Sequence, residues 1–448
     1  MRDGTKVFTM TTVLSLLLVG CGNGGSPNTS TSNGSGTSGT KPYAGETITV
    51  AFSSNAPPKK VMDQFTAQTG IKVQWTTIGW DALQTKITAA MSSNAYFADA
   101  TDVDWSRVGE YYLTKWFLPL NQYFNMSSLQ SEIPDLHSFV VSGQLIGIPV
   151  DDSIMDTTIN TNDFKKAGIS SMPTTIQQFT DDLKKLQTSG VSAHPLGIPF
   201  AAAEGLSTYW YETTNAFGGD VLTKNYKPAF TNPQSPGYRA MEWMINAYKT
   251  GLVPKGNINV TDSEEQQSQM ANNQIAAILS DYSGNVGTLY NIPSQSKVVG
   301  EVKYIPTPGV NGPAGNRENP DGMGIPKTAK HVGAAAEFLK WFTSTSVQEE
   351  ITGADGSSYA VPGGWASPMR VTALQKLNTV NNNITQNSAL YPLLTHSQAI
   401  FPNGAPPWYS QFSNSVYTNI HSAALGQESV ASAIQSIANT VNQLNGQS

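Results

Sequence analysis

The 448-residue sequence has one cysteine, Cys21, and only five histidines. A single thiol cannot form an internal disulfide, so the fold must be stabilised by its core alone. Several enzyme motifs are also missing: the Gly-x-Ser-x-Gly elbow, the His-Glu-x-x-His pair and the phosphate-binding loop. These absences argue against the most easily recognised classes of hydrolase and nucleotide-binding enzyme.

Charge is scarce as well. Asp, Glu, Lys and Arg make up 13% of the chain and give a formal net charge of −6 at pH 7, whereas about 25% charged residues is usual. A negative balance without a basic patch argues against nucleic acid or an anionic membrane surface as a partner. The weakly charged surface suggests acidic surroundings, with lineage bias in composition as the simpler explanation.

No metal or cofactor site is expected from the pattern of acidic residues. Asp99, Asp102 and Asp104 cluster near one predicted strand. They lack the glycine and the distal glutamate of a calcium-binding loop. The sequence therefore predicts neither a metal site nor a cofactor.

The amino-terminal segment is typical of an exported protein. Arg2 and Lys6 precede an apolar run over residues 7–20, which is shorter than the roughly 20 apolar residues that span a bilayer. We expect residues 1–20 to be a signal peptide. The next segment, 21–44, consists largely of Gly, Ser, Thr and Asn, a composition that predicts a flexible linker.

The remaining chain is long enough for two lobes, because a single core seldom grows beyond about 250–300 residues. A strand at Thr47–Phe52, a helix opened by Pro57 and Pro58, and a strand at Ile71–Ile78 form a βαβ pattern. A second α/β unit begins near Gln144. This alternation predicts an α/β fold with mostly parallel sheets, whose ligands bind beyond the carboxyl ends of the strands.

Five phrases resemble family 1 extracellular solute-binding proteins of ABC importers, the group that contains maltose-binding protein. They are KKVMDQFTAQTGIKV (59–73), GQLIGIPVDDSIMDTTIN (143–160), MANNQIAAI (270–278), YIPTPG (304–309) and AAAEFLKWFT (334–343). The resemblance implies a two-lobed, type II Venus-flytrap fold hinged on crossing segments, with lobe 1 at 45–150 and 306–352 and lobe 2 at 151–305 and 353–448. Two departures, Ile159 in place of tyrosine and a 280–284 segment without tryptophan, bear on the ligand.

Leu18-Val19-Gly20-Cys21 resembles the lipobox of bacterial lipoproteins. The resemblance implies a lipid on Cys21 that holds the mature chain at the outer face of the cytoplasmic membrane. The alternative is a core cysteine after a cleaved signal peptide. Taken together, the resemblances imply a monomeric substrate-binding lipoprotein that delivers its ligand to the transmembrane subunits of an ABC permease.

Sugars present C–H faces to aromatic rings and hydroxyls to carboxylates or amides. Residues of both kinds stand together in loops predicted to follow strands or to cross between lobes, and neighbours in an extended segment point to opposite faces, so we favour Asp152 over Asp151. The candidate ligand-binding residues are Trp80, Asp81, Asp104, Trp105, Asp152, Glu204, Trp210, Tyr282, Trp365 and Trp408.

The expected ligand is a carbohydrate, specifically an oligosaccharide. For each aromatic candidate the alternative is a place in the core. Other cargoes for the same fold are a polyamine or glycerol phosphate, and an adhesion or sensor lipoprotein without a transporter is a further alternative. From another class, a secreted glycoside hydrolase would also pair carboxylates near aromatics.

Overall fold

The computed structural model describes residues 41–261, 265–356, 365–380 and 386–446. The predicted signal peptide and Cys21 lie outside the described residues. Residues 41–448 form one compact unit. No helix within the described ranges is long and apolar enough to cross a membrane.

Twelve short strands are defined in the described ranges. They are β1 Thr47–Phe52, β2 Lys72–Thr77, β3 Ala100–Asp102, β4 Val140–Val141, β5 Gln144–Leu145, β6 Ile148–Pro149, β7 Ile154–Asn160, β8 Leu196–Gly197, β9 Ala277–Tyr282, β10 Val302–Ile305, β11 Arg317–Glu318 and β12 Gly322–Gly324.

The α-helices defined in the same ranges account for most of the regular secondary structure. They are α1 Lys59–Thr69, α2 Trp80–Ser92, α3 Val108–Thr114, α4 Met126–Glu132, α5 Thr161–Lys166, α6 Ile176–Thr188, α7 Glu204–Ala216, α8 Pro236–Lys249, α9 Gln267–Ala271, α10 Val332–Phe342, α11 Thr345–Thr352, α12 Val371–Thr379, α13 Asn387–Leu394, α14 Tyr409–Leu425 and α15 Val430–Asn445.

The first sheet has the strand order β2-β1-β3-β12-β6. β1 runs parallel to β2 and β3, as the βαβ pattern predicts. The connecting helix α1 starts after Pro58 and buries Val61 and Phe65. It ends at Gly70, whose φ of 79° is the left-handed conformation that glycine adopts at little cost. The pattern of the sequence and the structure therefore agree over this unit.

The second sheet has the order β10-β7-β9-β8, with β11 also paired to β7. β7 is antiparallel to β9, β10 and β11, which differs from the predicted mostly parallel arrangement. Only four residues separate β6 from β7, and these two strands belong to different sheets. β7 thus enters the second sheet directly from the first.

The two sheets are joined by two adjacent crossing segments, 150–153 and 319–321. The two segments are hydrogen-bonded to each other. The Asn319 N–H donates to the Ser153 carbonyl at 2.8 Å, and the Asp321 N–H donates to the side-chain Oδ1 of Asp151 at 2.8 Å. The return crossing lies later in the chain than the predicted boundary at residue 306, since Arg317 still pairs with Met155 in the second sheet. The predicted lobe ranges stay predictions.

Candidate functional site

A cavity of about 270 Å³ lies between the two sheets, beside the crossing segments. Its volume is close to the lower end of the roughly 300–1,000 Å³ typical of small-molecule sites. Residues that follow the strands of both sheets line it, together with residues of the crossings and of the carboxy-terminal third. This is where open α/β sheets bind ligands.

The wall contributed by the first sheet, called here the first wall, consists of residues that directly follow β1, β2 and β3. Because β1 to β3 are parallel, their carboxyl ends meet at one edge. The members of the first wall are Ser53, Ser54, Gly79, Trp80, Asp104, Trp105 and Ser106.

Asp104 organises the first wall. Its Oδ2 accepts from Trp80 Nε1 at 3.2 Å, and its Oδ1 accepts from the Ser106 N–H at 2.8 Å and from the Ser106 hydroxyl. Burial raises the pKa of the Asp104 carboxyl, while the hydrogen bonds from Ser106 oppose that rise. The Arg107 guanidinium lies 5.6 Å from the centre of the Trp80 ring, so the indole is held from two sides.

Trp105 connects the first wall to the rest of the molecule. Its Nε1 donates to Asn319 Oδ1 at 3.0 Å, on the return crossing. Its ring packs 6.0 Å from Phe401 and 5.8 Å from Tyr409 between ring centres. Only 7% of Trp105 is exposed, so this indole lines the cavity and also belongs to the core.

The opposite side, called here the second wall, is contributed by the start of α7, by α9 and by the segment after β9. Its members are Glu204, Thr208, Gln267, Tyr282, Ser283, Gly284, Asn285 and Thr288. Gly284 has a φ of 101°, and a Cβ there would lie 2.6 Å from the Ala366 Cβ. The close approach of these two loops therefore requires glycine at this position.

Glu204 is the carboxylate of the second wall. It accepts from the Tyr409 hydroxyl and, at 2.8 Å, from Ser413 Oγ. Burial raises its pKa to about 7, although both hydroxyl donors and Arg107 act in the opposite direction. Glu204 is also the first residue of α7, where the helix dipole favours a carboxylate. A group with a pKa near 7 accepts or donates hydrogen bonds according to pH.

The crossings add two carboxylates, Asp151 and Asp321, to the lining of the cavity. Burial raises the pKa of Asp321 to about 7, with a further contribution from Asp104. Burial and the adjacent Asp321 raise the pKa of Asp151 well above its usual range. The cavity is therefore rich in acidic groups, and within the described ranges neither lysine nor arginine lines it.

Trp365 closes one end of the cavity. Its ring stacks on Phe52 with 5.6 Å between the ring centres and a 19° angle between the planes. Its Nε1 donates to the Asn55 carbonyl at 3.3 Å. The indole is 5% exposed, so it combines the two roles that the sequence left open, a core anchor and a cavity contact.

The structure brings six of the ten predicted ligand-binding residues to this cavity and places the other four elsewhere. The six are Trp80, Asp104, Trp105, Glu204, Tyr282 and Trp365. Asp81, on the first turn of α2, is exposed and does not line the cavity. At the first crossing the prediction favoured Asp152 over Asp151, but Asp151 is the residue that lines the cavity. Asp152 is 3% exposed and faces Asp135.

Two predicted tryptophans also need correction. Trp210 is fully buried, donates to the Gly237 carbonyl at 2.8 Å and meets Phe230 edge-on. Trp408 packs edge-on against Tyr226 and Phe412. Both indoles are core residues, because Trp210 on α7 and Trp408 just before α14 pack against neighbouring rings rather than line the cavity.

Sequence reasoning missed several lining residues. Tyr409 directly follows the predicted Trp408, and Asp151 directly precedes the predicted Asp152. The prediction therefore found the right segments but chose the neighbouring residue in each. Asn319 and Asp321 reach the cavity through the return crossing. Their position depends on the pairing of β11 with β7, and two-residue strands leave no clear pattern in the sequence.

Two mixed β-sheets with their helices are joined by crossing segments and have a cavity between them. This arrangement defines a two-lobed binding protein. The sequence profile described as bacterial extracellular solute-binding protein matches residues 52–349. This chain belongs to that family, which confirms the resemblance of the five phrases. No curated protein is similar enough to match it.

Solved structures show the same fold at low sequence identity. Maltose-bound MalE3 of T. maritima is 20% identical, with a TM-score of 0.75, over 89% of this chain and 99% of that one. A ribitol complex of an ABC transporter solute-binding protein from Agrobacterium radiobacter K84 is 20% identical, with a TM-score of 0.76, over 90% and 100%. The α-D-tagatose complex of such a protein from Thermotoga lettingae TMO is 19% identical, with a TM-score of 0.76, over 89% and 100%.

Proposed function

We propose that this protein is the substrate-binding component of an ABC importer and that it captures a carbohydrate or polyol in the cavity. The observation that carries the proposal is the lining of the cavity. Five aromatic side chains offer faces on which sugar C–H groups stack, and carboxylates and amides form hydrogen bonds with hydroxyls. The rings are those of Trp80, Trp105, Tyr282 and Trp365, joined by Tyr409.

The ligands bound in structures of similar fold support the same proposal. The structures of similar fold from T. maritima and A. radiobacter hold maltose and ribitol. The cavity of about 270 Å³ suits a short carbohydrate in the arrangement seen here. The predicted oligosaccharide would need the two walls to move apart.

Binding is proposed to work by closure of the two walls. A ligand that contacts both stabilises the closed arrangement by its higher affinity for that arrangement. The crossings at 150–153 and 319–321 are the connections about which the walls would rotate. The permease then recognises the closed form, and no covalent bond in the ligand changes. Turnover of a glycoside by the purified protein would contradict this part.

The proposal includes export and attachment through Cys21 to the outer face of the cytoplasmic membrane. The protein is proposed to act there as a monomer, where a lipid anchor raises the local concentration of receptor near the permease. The substitution Cys21→Ser is expected to release the protein into the medium with unchanged ligand affinity. Retention of that variant in the membrane fraction would contradict the anchor.

The acidic lining favours a second candidate, a polyamine. Asp104, Asp151, Glu204 and Asp321 all line the cavity, and a cation could pair with them or lie against the rings. The same carboxylates disfavour glycerol phosphate, since an anion would meet four acidic groups.

A calorimetric titration of the purified protein, followed in parallel by tryptophan fluorescence, separates these candidates. The ligands are maltose, ribitol, D-mannitol and D-tagatose on one side, and spermidine and glycerol 3-phosphate on the other. We expect heat and a fluorescence change with at least one neutral ligand. Binding of spermidine alone would replace the carbohydrate proposal by the polyamine one, and binding of glycerol 3-phosphate alone would contradict both.

A further inference from the structure

Two buried carboxylates face each other behind the second wall. The antiparallel register of β7 and β9 sets Asp156 directly opposite Asp281. Asp156 is fully buried and Asp281 is 2% exposed. Directly opposed like charges on neighbouring strands are destabilising, so the pair cannot be doubly ionised without cost.

Residues 282–290, which begin at the last residue of β9, are called here the cavity loop. Asp281 forms hydrogen bonds with residues at both ends of this loop. Its Oδ1 accepts from the Tyr282 N–H at 2.9 Å and from Asn285 Nδ2 at 2.6 Å. Its Oδ2 accepts from the Tyr290 hydroxyl at 2.8 Å and from Thr158 Oγ1 at 2.6 Å. Tyr282 and Asn285 line the cavity, so Asp281 positions them without lining it.

Asp156, in contrast, has no hydrogen-bond partner for either carboxylate oxygen among the described residues. An ionised carboxylate that is buried without a partner is very costly, so the group keeps its proton instead. Burial raises the pKa of Asp281 as well, but its hydrogen bonds oppose that rise, because this carboxylate accepts four of them. The two members of the pair therefore have different roles: Asp281 accepts, and Asp156 holds a proton.

Among the described residues, the charged groups that act on Asp156 are both acidic. Asp281 faces it from β9 and Glu212 from α7. Tyr304 on β10 and Tyr290 in the cavity loop also lie next to it. Arg317 on β11 acts on Glu212 instead and pairs with Asp220 at 2.6 Å. The surroundings of Asp156 thus consist of acids and phenols.

We propose that Asp156 keeps its proton beside the Asp281 carboxylate and that this proton keeps the cavity loop in its ligand-binding arrangement, since a second charge opposite Asp281 would repel the carboxylate that holds the loop. The proposal rests on the proposed function only where it concerns ligand affinity. Asp281 is then a positioning residue for the ligand, and Asp156 sets the pH range in which the loop is held. Tyr304 connects Asp156 to the cavity loop, because it lies next to Asp156 and its hydroxyl accepts a hydrogen bond from the Gly284 N–H at 3.0 Å.

The sign of the pH effect follows from burial. Burial, followed by the charge of Asp281, raises the pKa of Asp156 well above its usual range. A raised pKa in the folded state means that the stabilising, protonated form is complete at acidic pH and is lost as the pH rises through that pKa. The cavity loop should therefore loosen at alkaline pH.

Amide hydrogen exchange of residues 282–290 in the ligand-free, full-length protein tests this without knowledge of the ligand. Exchange is measured from about pH 5 to about pH 9 and corrected for the intrinsic chemical rate. In the wild type, protection should fall by up to about tenfold per pH unit as the pH rises toward the raised pKa of Asp156 and should level off above it, as expected for the loss of one proton on opening. Asp156→Asn should remove this dependence. Asp156→Ser serves the same purpose if the first variant does not fold.

Ligand affinity provides the second readout, with maltose and ribitol as probes and Asp63→Asn as a matched control on the exposed face of α1. Affinity should fall less at alkaline pH in Asp156→Asn than in the wild type and the control, because Glu204 and Asp321 in the cavity lining still titrate in all three proteins. Asp281→Asn should lower affinity at every pH. An equal pH slope of loop exchange in wild type and Asp156→Asn would overturn the proposal. If no neutral ligand of the panel binds while the exchange result holds, the carbohydrate assignment fails and the role of the Asp156 proton stands.

Discussion

The two walls of the cavity are built in different ways. In the first wall, Asp104 is bonded to Ser106 two residues away and to Trp80 24 residues away. In the second wall, Glu204 is bonded to Tyr409 205 residues away, and Asp281 to Thr158 123 residues away. The first wall therefore forms within one continuous segment, residues 53–106, whereas the second exists only when distant parts of the chain have assembled.

This difference indicates how the site would respond to change. A local substitution in the first wall removes a recognition group and its immediate neighbour. In the second wall, one substitution disconnects segments that are far apart in the chain, so stability and ligand binding should change together. Trp105 is the exception in the first wall, because its ring contacts Tyr409 and Phe401.

The largest effect is expected where the two walls meet. Trp105→Ala removes a 93% buried ring that packs on Phe401 and Tyr409 and donates to Asn319. The free energy of unfolding should fall by about 3–5 kcal/mol, measured by urea denaturation. Trp105→Phe, which keeps most of the apolar area, should lose less. A loss below about 1 kcal/mol for the alanine variant would show that the walls are not coupled through this ring.

A smaller and local effect is expected from Asp104→Ala. The variant leaves Trp80 Nε1 and the Ser106 N–H without their acceptor, which should cost about 1–3 kcal/mol of unfolding free energy. Ligand affinity should also fall, because the Trp80 ring is no longer fixed. Denaturation and calorimetry measure the two effects. Full affinity in a variant that remains folded would remove Asp104 from the site.

The second wall should show a distinct dependence on pH. Because burial raises the pKa of Glu204 from 4.5 to about 7, its stabilising contribution is complete below about pH 4.5 and is lost as the pH rises through 7. Its part of the unfolding free energy should fall by at most about 1.4 kcal/mol per pH unit in that window. Glu204→Gln should remove this part. Identical pH slopes for wild type and variant would contradict the raised pKa.

Tyr409→Phe should have the smallest effect. It removes only the hydroxyl that donates to Glu204, and loss of one hydrogen bond costs about 1 kcal/mol. A double-mutant cycle with Glu204→Gln measures whether the two residues act together across the chain. Additive losses would show that this link between distant segments contributes nothing beyond its separate parts.

The fold and the first wall could be predicted because their signals are local. Alternating apolar residues and Pro58 and Gly70 mark β1, α1 and β2, and loops that follow parallel strands share one edge. Trp80, Asp104 and Trp105 were therefore found by position alone. Family membership confirms the resemblance carried by the five phrases.

The second wall was predicted only in part, through Glu204 and Tyr282, and the reason is physical. In α7, Tyr209, Trp210 and Tyr211 are all buried, and only tertiary packing decides which helix face meets the cavity. The same applies to the choice of Tyr409 over Trp408. Asp321 reaches the cavity through pairing of strands that are two and three residues long. No periodic pattern in the sequence encodes such contacts.

The most direct test of the central claim, that one carbohydrate contacts both walls, is calorimetric titration of two single variants beside the wild type. Trp80→Ala alters the first wall and Tyr282→Ala the second, and both residues line the cavity. With the tightest neutral ligand of the panel, we predict that each variant loses about tenfold or more in affinity, equivalent to about 1.4 kcal/mol. Wild-type affinity in either variant would contradict a ligand held between the two walls.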